Sequence, residues 1–174
     1  RKKGSVGKPM LFNSVKLLST QKEGEVGELL IRGNHVFSGY WGDEKETKRT
    51  IVDGWLKTGD LARIDEDGDY YIVGRKKDMI ITGGENVYPA EIENVLIAHP
   101  DITEAAVIGI KDEKWGEKVT AFVVSQSSDL DEEQLQRYCR SCLANYKVPK
   151  TILFLENLPK TDVGKLDKKA LLGV

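Results

Sequence analysis

The amino-acid sequence predicts an α+β protein built of two small modules, a β-rich module followed by a mixed α+β module. Strand patterns separated by glycine and other turn residues fill the chain up to Val73, and helix patterns alternate with strand patterns afterwards. Between them, Gly74–Asp78 interrupts the apolar pattern with four charged residues in a row. We therefore expect a division into residues 1–76 and 77–174.

The first module contains four strand patterns and one helix pattern. The strands are Val15–Leu18, Glu25–Arg32 and a hairpin in which Leu61–Asp65 turns through Glu66–Gly68 into Tyr70–Val73. The segment Asp43–Arg49 is polar all round, so we expect a short solvated helix with Asp43 as its N-terminal cap.

The second module alternates helices and strands. The predicted elements are a helix from Pro89 to His99, strands Ala105–Ile110, Val119–Ser125 and Ile152–Leu155, a helix opening at Asp131–Glu133, a basic loop over Pro159–Lys169 and a short helix near Ala170. Proline suits the first position of a helix, and acidic residues favour the positive end of the helix dipole.

Two cysteines, Cys139 and Cys142, lie at C-x-x-C spacing, but the chain has only two histidines, His35 and His99. This set makes a poor zinc site, so no metal site is predicted. Leu135 and the two cysteines fall on one face of a helix, so we expect both thiols in the core. Two reduced cysteines fit the cytosol, and we expect a cytoplasmic protein.

The composition excludes several classes of function. Of the 174 residues, 40% are hydrophobic, which is enough for a core, and 26 basic against 28 acidic residues give a net charge of −2. Without a basic surplus, a nucleic-acid partner is not expected. No apolar run approaches the roughly 20 residues of a membrane span, and no apolar signal core follows Arg1–Lys3. Because the chain begins with Arg instead of Met, we expect a fragment of a longer protein.

Five motifs follow one another along the chain. They are G-E-L (Gly27–Leu29) with G-Y-W (Gly39–Trp41), G-W-L-K-T-G-D (Gly54–Asp60), G-R-K-K-D (Gly74–Asp78), G-G-E-N-V-Y-P-A-E-I-E (Gly83–Glu93) and P-K-T-D-V-G-K (Pro159–Lys165). In this order they resemble the acyl-adenylate-forming superfamily of acyl-CoA synthetases, peptide-synthetase adenylation domains and luciferases. The resemblance implies that residues 1–76 end the large AMP-binding domain, as a distorted β-barrel. Residues 77–174 would be the mobile small domain, with its hinge at Lys77.

Two residues of the first module correspond to nucleotide contacts of that family. One carboxylate can accept both hydrogen bonds of a ribose diol, which suits Asp60, although a turn residue after Gly59 is the alternative. The guanidinium of Arg75 suits ribose and phosphate oxygens, and a plain surface charge is its alternative.

The resemblance makes Lys165 the catalytic residue. Negative charge builds on carboxylate and phosphoryl oxygens as an acid attacks the α-phosphate of ATP, and a lysine carried on a loop can neutralise it. The alternative is a solvated lysine among Lys160, Lys168 and Lys169.

A further set of residues would bind CoA. In the family, the Gly83-Gly84 segment lines the tunnel of the pantetheine thiol, and the alternative is a turn. Trp115 and Tyr146 would stack on the adenine of CoA and Lys150 would contact its phosphate, with ordinary surface packing as the alternative. The small domain would present Lys165 in one pose and the glycine segment in the other.

These resemblances imply an ATP-dependent acid–CoA ligase that forms an acyl-adenylate and then an acyl-CoA thioester. ATP with Mg²⁺, CoA and a fatty, aryl or o-succinylbenzoate-type acid would be its substrates. The family's phosphate loop and its Y-G-x-T-E segment have no counterpart here, so we expect them in a missing N-terminal domain and expect this chain alone to be inactive. Two alternatives stay open: an enzyme that loads a carrier-protein thiol, and a binding module without catalysis.

Overall fold

The computed structural model describes residues 2–18 and 24–173. The chain divides into two compact units, one ending at Lys77 and the other beginning at Asp78. The first unit is rich in strands and the second mixes helices and strands, so the predicted α+β class is confirmed. No helix among the described residues is long and apolar enough to cross a membrane.

The first unit is built on an antiparallel sheet with one short helix beside it. Its elements are β1 (Ser14–Leu18), β2 (Gly27–Arg32), α1 (Glu44–Thr50), β3 (Ile51–Val52), β4 (Trp55–Ile64) and β5 (Tyr70–Arg75). The strands run in the order β1-β2-β4-β3, and β5 also pairs with β4. The Asp43 carboxylate accepts the backbone N–H of Glu46, so the predicted cap of α1 is confirmed.

The second unit is a mixed sheet with two helices. Its elements are β6 (Ile80–Thr82), β7 (Glu85–Val87), α2 (Pro89–Ile97), β8 (Ile102–Asp112), β9 (Gly116–Ser125), α3 (Glu132–Cys142) and β10 (Thr151–Phe154), with 3-10 turns at Asn145–Lys147 and Ala170–Gly173. A further 3-10 turn, Lys76–Asp78, spans the boundary between the two units in sequence. Strand β9 is central: β8 pairs antiparallel along one edge, while β10 pairs parallel along the other. Strand β6 joins β9 near Gly116.

Two apolar clusters cover opposite faces of this sheet. Alternate residues of a strand point to opposite faces, so Ala121 and Val123 of β9 lie in one cluster and Phe122 lies in the other. The first cluster packs under α2 and α3. The second is covered by three residues of the C-terminal segment, Leu158, Leu166 and Leu171. The C-terminal segment is therefore part of the folded core.

The prediction that both cysteines are buried is wrong for Cys142. Cys139 has no exposed surface and packs in the first cluster, whereas Cys142 is exposed. Helix α3 ends at Cys142, and the next residue, Leu143, adopts extended backbone and takes the core position instead.

Candidate functional site

A bulge in β4 presents Asp60. Residues 58–60 lie opposite the single residue Leu29 of β2, and Gly59 there has a left-handed φ of 72°. The Thr58 hydroxyl donates to the carbonyl of Leu29 at 2.8 Å and accepts the N–H of Asp60 at 3.0 Å. Bulges of this kind turn a side chain away from the regular pleat and are common beside functional sites. Asp60 lies within strand β4, directly after the left-handed Gly59 of this bulge.

Asp60 and Arg75 form an ion pair across the sheet. The two residues are directly opposite each other in β4 and β5, and Nε of Arg75 lies 2.8 Å from Oδ1 of Asp60. The carboxylate side chain is 29% exposed and the guanidinium side chain 57% exposed. The structure therefore brings the two predicted nucleotide contacts together on one surface of the first unit.

Lys76 and Lys77, which follow Arg75 in the sequence, differ in their surroundings. Lys76 donates to the carboxylate of Glu28 at 2.8 Å, and the Glu28 side chain is only 8% exposed. This pairing compensates a charge that would be costly to bury alone. Lys77 is exposed and is the last residue of the first compact unit.

The two glycines predicted to line a tunnel form a tight hairpin turn between β6 and β7. Thr82 pairs with Glu85, and both Gly83 and Gly84 have positive φ, which is the two-residue turn that glycine favours. Gly83 also donates its N–H to the carbonyl of Trp115 at 2.9 Å. A Cβ on Gly83 would lie 3.3 Å from the indole ring, so this position requires close backbone approach.

Three of the five residues predicted to bind CoA, Trp115, Tyr146 and Lys150, line one open cleft. Thr82, Trp115, Asn145, Tyr146 and Lys150 line a space of about 250 Å³ in the second unit. Trp115 and Tyr146 keep 36% and 40% of their surface exposed. Nζ of Lys150 lies 5.1 Å from the centre of the Trp115 ring. Aromatic faces beside a cation can take a flat ring carrying phosphate.

Two residues that line this cleft were missed in the sequence. Asn145 opens the 3-10 turn that carries Tyr146. Thr82 is 3% exposed, and its hydroxyl is buried with no hydrogen-bond partner among the described residues. A buried hydroxyl without a partner is unusual in a native protein. The sequence signal for Thr82 was its position directly before the glycine pair.

Lys165 lies on a short hairpin loop in the C-terminal segment. Thr161 donates its N–H to the carbonyl of Lys165 at 2.7 Å, and its own carbonyl accepts the N–H of Gly164 at 2.7 Å. Gly164 has a φ of 77°, which completes a turn of the kind found in three-residue hairpin loops. The Thr161 hydroxyl also accepts the N–H of Lys165 at 3.2 Å. Thr161 and Gly164 therefore fix the backbone from which Lys165 projects.

The side chain of Lys165 differs from those of Lys160 and Lys168 but not from that of Lys169, which is also exposed and unpaired among the described residues. Lys160 pairs with Glu104 at 2.9 Å and Lys168 pairs with Glu93 at 2.7 Å. Lys165 is exposed, and within residues 2–18 and 24–173 no ion pair or hydrogen bond engages its ammonium. This lysine is therefore available to an external anion.

The predicted residues thus occupy three places. The Asp60–Arg75 pair lies in the first unit, while the cleft at Trp115 and the loop of Lys165 lie in the second. Lys165 is not among the residues lining the cleft. Across the described part of the chain, no cluster of three or more His, Cys, Asp or Glu side chains is arranged to hold a metal ion.

Comparison with known sequences finds a matching family model and similar enzymes. Residues 91–165 match the AMP-binding enzyme C-terminal domain. The chain is 44% identical over 176 aligned residues to a 2-succinylbenzoate–CoA ligase of Bacillus cereus, and the match covers 98% of this chain but only 36% of that relative.

Solved structures agree with this match. The o-succinylbenzoate CoA synthetase of Bacillus subtilis, in complex with its acyl-adenylate intermediate, is 38% identical with a TM-score of 0.90, over 97% of this chain and 35% of that one. ATP-bound MatB of Rhodopseudomonas palustris is 38% identical with a TM-score of 0.89, over 98% and 35% of the two chains.

Proposed function

We propose that the chain is part of an ATP-dependent acid–CoA ligase, because residues 91–165 match the AMP-binding enzyme C-terminal domain and the chain is 44% identical to a CoA ligase. A carboxylic acid and ATP would give acyl-adenylate and pyrophosphate, and CoA would then displace AMP to give a thioester. The observation that carries this proposal is Lys165, an exposed lysine on a fixed loop whose ammonium has no partner among the described residues, between two lysines that are ion-paired. The chain spans about a third of its relatives, so the activity is proposed for a longer enzyme.

Lys165 would act in the adenylation step. Its ammonium would approach the oxygens of the acid and the α-phosphate, where negative charge increases in the transition state. A lysine suits this role because its long stem carries a compact point charge to the reacting atoms. The absence of a partner for the ammonium among the described residues supports this role, since no ion pair must break first.

Asp60 and Arg75 would hold the nucleotide. Their ion pair engages Oδ1 of Asp60 and Nε of Arg75, and the other polar atoms of both side chains would meet ribose hydroxyls and phosphate. The bulge at Gly59 supports this role because it turns Asp60 out of the regular pleat. Mg²⁺ would accompany ATP as its counter-ion, held by the triphosphate and by residues outside this chain.

The cleft at Trp115 would bind CoA. Trp115 and Tyr146 would stack on the adenine, Lys150 would contact phosphate, and the turn at Gly83-Gly84 would border the pantetheine arm. The exposed aromatic faces around one cleft support this assignment. Lys77 would be the hinge that brings Lys165 and the glycine turn to the same site in succession. A cytoplasmic location is supported by the two free thiols.

The acid is proposed from the relatives. An aryl acid of the succinylbenzoate class is the first candidate, because a ligase of that name is 44% identical to this chain. An enzyme that loads a carrier-protein thiol is the second candidate. It would make less use of the Trp115 cleft, because a tethered pantetheine carries no adenine.

The experiment is an acid panel on the full-length enzyme that contains this chain. ATP–pyrophosphate exchange with 2-succinylbenzoate, benzoates and fatty acids would identify the acid, and thioester formation with CoA against a carrier protein would identify the acceptor. We expect exchange with at least one acid, CoA as the acceptor, and no exchange by residues 1–174 alone. A full-length protein that exchanges with none of these acids would favour a binding module without catalysis.

A further inference from the structure

The loop of Lys165 is tied to the body of the second unit at both of its ends. Before it, Lys160 pairs with Glu104 on β8, but both side chains are well exposed, at 49% and 37%. After it, Lys168 pairs with Glu93 on α2, and these side chains are 27% and 19% exposed. Exposed ion pairs contribute little to stability, so the Lys168–Glu93 pair is the stronger of the two attachments.

The contacts of Lys168 connect three elements, the C-terminal segment, α2 and β8, at one edge of β8. Strand β8 pairs with β9 along one edge, and at Val107 its other edge has a free N–H and a free carbonyl to satisfy. The N–H of Val107 donates to Oε1 of Glu93 at 2.9 Å. Nζ of Lys168 donates to the same Oε1 at 2.7 Å and to the carbonyl of Val107 at 3.1 Å. Val107, Glu93 and Lys168 therefore form one connected set of hydrogen bonds, in which Oε1 of Glu93 and Nζ of Lys168 each engage two partners.

One member of this cluster, Lys168, is close in sequence to the loop that carries Lys165. Lys168 follows Lys165 by three residues, and Leu166 between them packs in the second apolar cluster. The hairpin bonds of Thr161 fix the shape of the loop but do not attach it to the sheet. Beside the exposed pair of Lys160 with Glu104, the attachment comes from Leu166 and from the ammonium of Lys168.

We propose that Lys168 and Glu93 are positioning residues for adenylation, which hold the loop so that the ammonium of Lys165 reaches the reacting oxygens. This inference rests on the proposed function, because it assigns the two residues to the step in which Lys165 acts. Neither side chain would touch the substrates. A displacement of about 1 Å at a reacting group can lower a rate by roughly a hundredfold, so loss of the tie should be costly.

The experiment compares two half-reactions of the full-length enzyme. Lys168→Met keeps the length of the side chain and removes the ammonium. We expect adenylation to fall by about 10- to 100-fold, while thioester formation from supplied acyl-adenylate stays within about twofold. Backbone amides of the Lys165 loop should also exchange hydrogen faster. Lys168→Arg should restore most of the rate, because a guanidinium can donate to both Glu93 and the Val107 carbonyl.

Matched variants separate the outcomes. Lys169→Met removes the same charge from the neighbouring exposed position and should leave both half-reactions unchanged. If Lys168→Met does not fold, Glu93→Gln is read by the same criteria. Unchanged adenylation in these variants, or an equal fall in both half-reactions, overturns the inference. If Lys165→Ala itself leaves adenylation unchanged, the proposed function fails first, so the two failures are distinguishable.

Discussion

At the scale of single residues, Thr82 has the clearest energetic cost. Its hydroxyl is buried and has no partner among the described residues, although the side chain lines the cleft with Trp115. A buried hydroxyl that loses its hydrogen bonds to water costs about 1 to 3 kcal/mol. Such costs persist in native proteins mostly where function requires them.

Thr82→Val tests this cost, because valine replaces the hydroxyl by a methyl group of similar shape. We expect the free energy of unfolding to rise by about 1 kcal/mol, measured by chemical denaturation. Thr82→Ser keeps the hydroxyl and removes the methyl group, so it should lower stability. A valine variant less stable than wild type would mean that the hydroxyl has a partner after all.

The two cysteines should differ in reactivity. Burial raises the pKa of the Cys139 thiol to about 11, so at pH 8 this group is protonated as well as enclosed. The thiolate is the nucleophile, so alkylation of the native chain at pH 8 should modify Cys142 alone. Denaturation should expose the second thiol, and mass spectrometry would count both. Rapid native labelling of Cys139 would contradict its burial.

At the scale of elements, the sequence predicted those with strong local chemistry. The Asp43 cap, the proline at the start of α2 and the strands beside apolar runs are all found. Elements that depend on distant pairing were missed. Strands β6 and β7 have three residues each around a turn, and β4 begins at Trp55 because β2 and β3 pair with it.

The sequence identified most of the candidate site residues, but it did not predict how they are arranged in space. The motifs selected Asp60 and Arg75 separately, but their ion pair follows from the register of β4 against β5, which no local pattern encodes. The same holds for the cleft, because Thr82, Trp115 and Tyr146 come from three distant segments. Lys168 and Glu93 are 75 residues apart and were not selected at all.

The cleft itself leads to a prediction for CoA. Stacking of a base on an aromatic ring is worth about 1 to 3 kcal/mol, so Trp115→Ala should raise the Michaelis constant for CoA by about tenfold in the full-length enzyme. Trp115→Phe keeps a smaller aromatic face and should have a weaker effect. The Michaelis constants for acid and ATP should hardly change. Steady-state kinetics with an unchanged constant for CoA would show that the nucleotide of CoA binds elsewhere.

At the scale of the whole molecule, the chain consists of two compact units that meet in sequence between Lys77 and Asp78. Lys77→Pro would fix φ at the proposed hinge. We expect adenylation to persist and transfer to CoA to fall on the order of tenfold, as for a barrier raised by about 1.4 kcal/mol. Lys77→Ala removes the side chain without fixing the backbone and should transfer normally. Normal transfer by the proline variant would place the hinge at another residue.

Lys165 is proposed to serve the adenylation step of an acid–CoA ligase. The most direct measurement is Lys165→Ala in the full-length enzyme, with ATP–pyrophosphate exchange and thioester formation from supplied acyl-adenylate followed separately. We predict that exchange falls by about two to three orders of magnitude, the loss expected for one charge-stabilising donor, while thioester formation is retained. An equal loss in both half-reactions, or no loss in exchange, would contradict the account.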